Sequence, residues 1–174
     1  MAIEYNFEVS PMLKAEEVLK YCADLLGCDE YSQGLEQPTH AFREEVGLTT
    51  IVLNRDESDI AKLFRVDQIV SATFRVKKFH TREEYDTIFR DVIAACAKFL
   101  EDHPGSKGIL SFQGEQIYLQ RLGDDRIVLS ERLRDPDFNH EGVLDQLLAK
   151  YQTSELGMVD DLPGIGDTES ATSI

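Results

Sequence analysis

Carboxylates are the side chains this chain supplies most freely in adjacent pairs: Asp29–Glu30, Glu44–Glu45, Asp56–Glu57, Asp124–Asp125 and Asp160–Asp161. Two carboxyl groups flanking a glycosidic bond can divide the acid and nucleophile roles of sugar hydrolysis. That chemistry sits in a cleft whose aromatic walls hold the sugar. Here there is no Trp, and the Tyr and Phe residues fall mostly at positions that read as core. The acid pairs therefore read as solvated surface. His40, His80, His103 and His140 are scattered near element boundaries and lack metal-ligand spacing, so each reads as a solvated or capping residue. A covalent mechanism needs a nucleophile, a base and an orienting group. Cys28 with a distant histidine is the thiol candidate, but no helix N-terminus or basic stretch near it would lower its pKa. No serine lies in a G-x-S-x-G elbow. Gly164-Ile165-Gly166 neither follows a strand nor opens a helix, so it does not read as a phosphate loop. Arg75, Lys77 and Lys78 form a small basic patch that reads as balancing nearby carboxylates. The sequence offers no catalytic, cofactor or metal site.

What it does offer is charge. Eighteen Lys and Arg oppose 33 Asp and Glu, for a net charge of −15. Residues 1–64 hold 5 basic and 13 acidic side chains, residues 65–134 hold 12 and 11, and residues 135–174 hold 1 and 9. The acid lies at the two ends of the chain. Such a field repels nucleic-acid phosphates and anionic membranes and speeds encounter with basic partners. It also serves plain solubility. The N-terminus has neither the basic nor the apolar region of a signal peptide, and no apolar run reaches the roughly 18 residues of a membrane span. Three cysteines, Cys22, Cys28 and Cys96, do not form a secreted disulfide framework. Cys22 and Cys96 read as small core residues and Cys28 as exposed. A reducing cytoplasm is the expected compartment.

The elements that position these side chains follow from periodicity. Ile3, Tyr5, Phe7 and Val9 alternate with polar residues, as in a half-buried strand. Ser10 and Pro11 read as the cap and first residue of a helix whose apolar stripe runs from Ala15 to Leu26 and stops at Gly27. Residues 28–39 read as a long loop, residues 40–53 as one or two strands, and Ile60 to Phe64 as a helical turn. In the strand from Ile69 to Phe79, Val70, Ala72, Phe74 and Val76 share one face, while Ser71, Thr73, Arg75 and Lys77 share a solvated one. Thr81-Arg-Glu-Glu84 is a capping box opening the main core helix, which His103-Pro104-Gly105 ends. Strands over 108–112, 116–122 and 126–133, joined by two short turns, make a meander. Val143 to Tyr151 reads as a short last helix. After it, residues 152–174 carry five acidic residues and no basic one, and they read as a disordered tail. The expected fold is α+β: residues 1–151 form one domain, a mostly antiparallel sheet with two long helices on one face and a short C-terminal helix.

Three segments resemble a known family: Met1-Ala-Ile-Glu-Tyr-Asn6, Val70 to Phe79 running into the capped helix, and the hairpin Gly108 to Leu122 with its Asp-Asp turn. Together they are similar to the Sit immunity family, small bacterial antidotes to myxobacterial swarm-inhibition toxins. The resemblance covers about residues 1–130, with a gap over 28–64. It implies a protein that binds a cognate toxin in the cytoplasm and blocks it, and it carries over no catalytic residue.

On that reading the acidic stretch faces a basic toxin surface, with Asp29, Glu30, Glu36, Glu44, Glu45, Asp56, Glu57 and Asp59 as the candidate partner-binding residues. Reversing Glu44 and Glu45 to Lys should slow association and weaken its salt dependence. The alternative is an acidic secretion chaperone that holds an effector segment, for which a large apolar groove and a stable homodimer are the marks. An enzyme, the third reading, requires a concave pocket with converging polar groups. No cofactor is expected.

Overall fold

The computed structural model describes residues 2–10, 13–31, 40–78, 81–123 and 126–162. The strands are β1 (Ala2–Val9), β2 (Glu30–Tyr31), β3 (His40–Phe42), β4 (Val46–Asn54), β5 (Gln68–Lys77), β6 (Gly108–Phe112), β7 (Gln116–Arg121), β8 (Val128–Ser130) and β9 (Gln152–Ser154). The helices are α1 (Ala15–Leu26), α2 (Asp59–Phe64), α3 (Arg82–Asp102) and α4 (Asp145–Lys150). All described strands join one sheet in the order β2-β3-β4-β5-β1-β6-β7-β8-β9. Every pairing is antiparallel except β8 with β9. The fold is the expected α+β sheet with its two long helices packed together on one face.

Alternation decides which side chains meet those helices. Tyr5, Phe7 and Val9 of β1 line up with Phe74, Ala72 and Val70 of β5. All of them join one buried cluster with Val18, Leu19 and Cys22 of α1 and with Ile88, Val92 and Phe99 of α3. At the start of α3, the Thr81 hydroxyl accepts from the Glu84 amide (3.2 Å), and the Glu84 carboxylate accepts from the Thr81 amide (3.3 Å). Tyr21 of α1 donates to Asp102 of α3. The Tyr5 and Tyr85 hydroxyls also share a hydrogen bond. Burial pushes the Tyr5 phenol well above its ordinary range, chiefly by desolvation.

The opposite face of the sheet carries a second, smaller core. Ile60, Ala61 and Phe64 of α2 pack with Ile69, Ile109 and Ile117 of the sheet, and Leu156, Val159 and Leu162 close over them. The Ser71 face of β5, expected to be solvated throughout, is therefore buried at Ser71 and open only at Arg75 and Lys77.

Three local expectations differ. Ser10 does not cap α1. Its amide donates to the Lys107 carbonyl (2.9 Å) and its hydroxyl accepts from the Lys107 amide (2.8 Å), so it prolongs the β1–β6 pairing. The helix starts at Ala15, with Lys14 as N-cap and no side-chain cap. Cys28 is buried, not exposed. Gly27 takes a left-handed conformation (φ 73°), and the Gly27 and Cys28 amides donate back to the Asp24 and Ala23 carbonyls. That is a Schellman end, which folds the following residue onto the helix. Finally, order does not stop at residue 151. Gln152–Ser154 pairs with β8, the Ile117 amide donates to the Gly157 carbonyl and the Val159 amide to the Glu115 carbonyl. The acidic composition hid three apolar residues placed to cover the second core. Residues 163–174, for which a tail was expected, lie outside the described residues.

Candidate partner-binding surface

The eight acidic candidates do not form one cluster. Asp29, Glu30, Glu44 and Glu45 lie at the start of β4, around the β2–β3 edge and the β3–β4 turn. Asp56, Glu57 and Asp59 lie beyond its far end. Nine residues of extended chain place these groups about 26 Å apart. Glu36 lies outside the described residues. Glu57 is partly used at home: its carboxylate accepts from the Asn54 amide at 2.8 Å. Asp59 opens α2, where a negative charge suits the helix dipole, and sits 3.4 Å from the Lys62 amine.

At the first group the sheet forms a concavity of about 630 Å³ lined by Asp29, Glu30, Phe42, Glu44, Arg75 and Lys77, among others. Strand register explains why these residues converge. Glu30 pairs with Phe42, Phe42 with Gly47, Gly47 with Arg75, and Arg75 with Glu4. They form one row across β2, β3, β4, β5 and β1, on the face the long helices do not cover. The Phe42 ring lies over Gly47, where a Cβ would stand 3.6 Å from it. The His40 ring stacks beside it, with centroids 6.1 Å apart and planes within 10°. Phe42 remains 40% exposed, an apolar anchor among charges.

The charges lining the concavity are of both signs. Arg75 donates to the Glu4 carboxylate from Nε (2.8 Å) and Nη2 (2.5 Å). Both side chains are exposed, so the pair adds little to stability. Its effect is to orient the guanidinium along the row. The part of the basic patch at Arg75 thus balances a carboxylate, as expected. Arg43 has a structural task. Its Nη1 donates to the Leu26 carbonyl at the end of α1 (2.6 Å), and its guanidinium lies 3.0 Å from Glu45 and 3.8 Å from Asp91 of α3. It ties the β3–β4 turn to both long helices, and Glu45 belongs to that tie. Asp29, Glu30 and Glu44 are the carboxylates left facing outward.

Sequence reasoning missed Phe42, Gly47 and Glu4 as parts of this surface. Only the pairing of strands far apart in the chain brings them together. A lone aromatic just before a turn, with a glycine on the returning strand, was the available signal. The surface can recognise a partner by charge and by one exposed ring. Among the described residues, no group of three or more His, Cys, Asp or Glu side chains is gathered as metal ligands. No described helix is long and apolar enough to cross a membrane.

No curated protein and no solved structure matches the chain. A family model described as SitI3-like matches residues 3–140, a span that includes β1 to β8, both long helices and the whole concavity. The chain therefore belongs to the SitI3-like family, in agreement with its resemblance to the Sit immunity proteins.

Proposed function

We propose that this protein is a non-enzymatic immunity protein of the cytoplasm that binds and neutralises a cognate, basic bacterial toxin. Family membership over residues 3–140 carries this reading. The outward carboxylates Asp29, Glu30 and Glu44 beside the exposed Phe42 ring supply a contact surface of suitable chemistry. Charged rims set association rate and partner choice, and a partly exposed aromatic is the kind of anchor that dominates interface energy. The described residues up to Leu162 form the binding unit in this proposal.

Survival tests the reading. Cells that express a basic toxin domain encoded beside this gene should live when they also express the unaltered chain, and the two proteins should co-elute as a complex. Death despite expression, without a complex, overturns it. Charge reversal then tests the surface. Asp29→Lys with Glu44→Lys is the clean pair, because Glu45 helps hold Arg43 in place. This variant should associate at least about tenfold more slowly at low salt and show a weaker dependence on ionic strength. Unchanged rates at all salt concentrations would move the contact elsewhere.

A further inference from the structure

Among the described residues, the far half of β4 has a strand partner on one side only. β3 pairs only with Gly47, Leu48 and Thr49 of β4, whereas β5 pairs with all nine residues, Val46 to Asn54. Among the described residues, no strand lies beside Ile51 to Asn54 on the β3 side. Ile51 and Val52 point to opposite faces of the sheet, yet they are 56% and 47% exposed. Neither helix layer reaches them.

The backbone direction at this edge follows from the neighbouring bonds. The Arg55 amide donates to the Asp67 carbonyl and the Lys77 amide to the Glu45 carbonyl, both across to β5; the Val46 carbonyl accepts from Arg43 on the other side. Backbone groups alternate along an antiparallel strand. Odd-numbered residues of β4 therefore bond to β5, and even-numbered ones face away. Thr50 is buried, and the Asn54 amide is taken by Glu57. Among the described residues, the amide and carbonyl of Val52 and the carbonyl of Asn54 have no strand partner, and they face outward beside the exposed Ile51 and Val52 side chains. Natural sheets usually cover or charge such an edge.

We infer that this edge of β4 accepts an extended segment of a cationic protein partner as an added strand, a second point of contact about one strand length from the concavity. The inference rests on the binding function proposed above. Main-chain bonds to Val52 and Asn54 would supply affinity, and the apolar side chains at alternate positions of the segment, all on one face, would pack against Ile51 or, with the strand turned over, against Val52. Charge selects the occupant. Arg55 comes first after the edge, then Asp56, Glu57 and Asp59, so that residues 55–62 with Lys62 carry a net charge of only −1, but the whole protein carries −15 and repels a second copy of itself.

The probe is a capped peptide of four alternating valine–lysine pairs, with two controls: the same peptide N-methylated at its valines, and a valine–glutamate version. Amide exchange is followed by NMR on the full chain. The Val52 amide should exchange fast in the free protein and slow by about tenfold when the peptide stands at ten times its dissociation constant. Both controls should leave it fast. Val52→Pro removes that donor at an edge position where proline is tolerated and should abolish binding. Val52→Lys, which keeps the backbone donor, serves the same end should the proline variant not fold. Protection already present in the dilute free protein would mean that the chain covers its own edge. Protection growing with protein concentration alone would mean a second copy does. Either result overturns the inference, as does equal binding of the N-methylated peptide or a peptide that leaves Val52 unprotected. A toxin still bound and neutralised by Val52→Pro would sink this docking mode and leave the immunity reading intact.

Discussion

The two faces of the sheet are built from the same strands and treated in opposite ways. One face is covered by α1 and α3 except at the end of β4, where Val52 stands open, and its core side chains, from Tyr5 to Leu129, are almost wholly shut off from water. Among the described residues, the other is covered only where α2 and residues 156–162 meet Ile69, Ile109 and Ile117. The rest of that face carries Phe42, Arg75 and Lys77 in the open, with Glu4 half-buried beside Arg75. The first face explains why the protein folds. The second is where the proposed partner would be met without disturbing the fold.

Substitutions that separate the faces put that division at risk. Phe74→Ala, at a fully buried ring on the helix-covered face, should cost about 3–5 kcal/mol in chemical denaturation. A loss below about 1 kcal/mol would mean the covered face is loosely packed. Gly108→Ala tests the same face by addition. A Cβ there would stand 2.9 Å from Leu100 Cδ2 and 3.1 Å from Phe7 Cε1, so a destabilisation of about 1–3 kcal/mol is expected from overpacking.

Glu8 sharpens the contrast, because it lies on the second face at the border between covered and open. It pairs with Ser71 and Ile109 across the sheet. Desolvation first, and then the charge of Asp59, raise its pKa to about 7. A carboxyl with a raised folded pKa contributes fully below its unfolded pKa near 4.5, and that contribution is lost as pH climbs through about 7. Glu8→Gln should therefore leave stability at pH 4 unchanged and raise it at pH 8 by about 1–2 kcal/mol, allowing for solvent screening. Equal effects at both pH values would show that Glu8 is not buried in this way. The smallest stability change belongs to Phe42→Ala, within about 0.5 kcal/mol, with a clear loss of toxin affinity. A large drop in its melting temperature would mean that the open face supports the fold after all.

Much of the covered face was legible from local pattern. The alternation from Ile3 to Val9, the Thr81 capping box and the turn at Gln113-Gly114-Glu115 each specify an element with little help from the rest of the chain. The second face was not legible. Ile60 and Phe64 read as a short turn, and Leu156, Val159 and Leu162 as part of an acidic tail, because the partners they bury against lie as far as about a hundred residues away. Ser10 fits a helix cap by residue type, but its pairing with Lys107 wins. The acidic stretch looked continuous in the chain because sequence shows neighbours along the backbone. β4 then carried its two halves to opposite ends of a strand.

The position of β1 has a consequence for how the molecule is made. β1, which precedes the other described strands in the chain, becomes the middle of the sheet, flanked by β5 and β6. Its second neighbour arrives only with Phe112. Until then Tyr5, Phe7 and Val9 wait without a finished seat, and the contacts that seat them close loops of about 70 and 100 residues. Such non-local closure slows folding and lengthens the time that sticky surface is on view. Until Phe112 has been made, a nascent chain would depend on chaperones or on its own strong negative charge to stay apart from its neighbours.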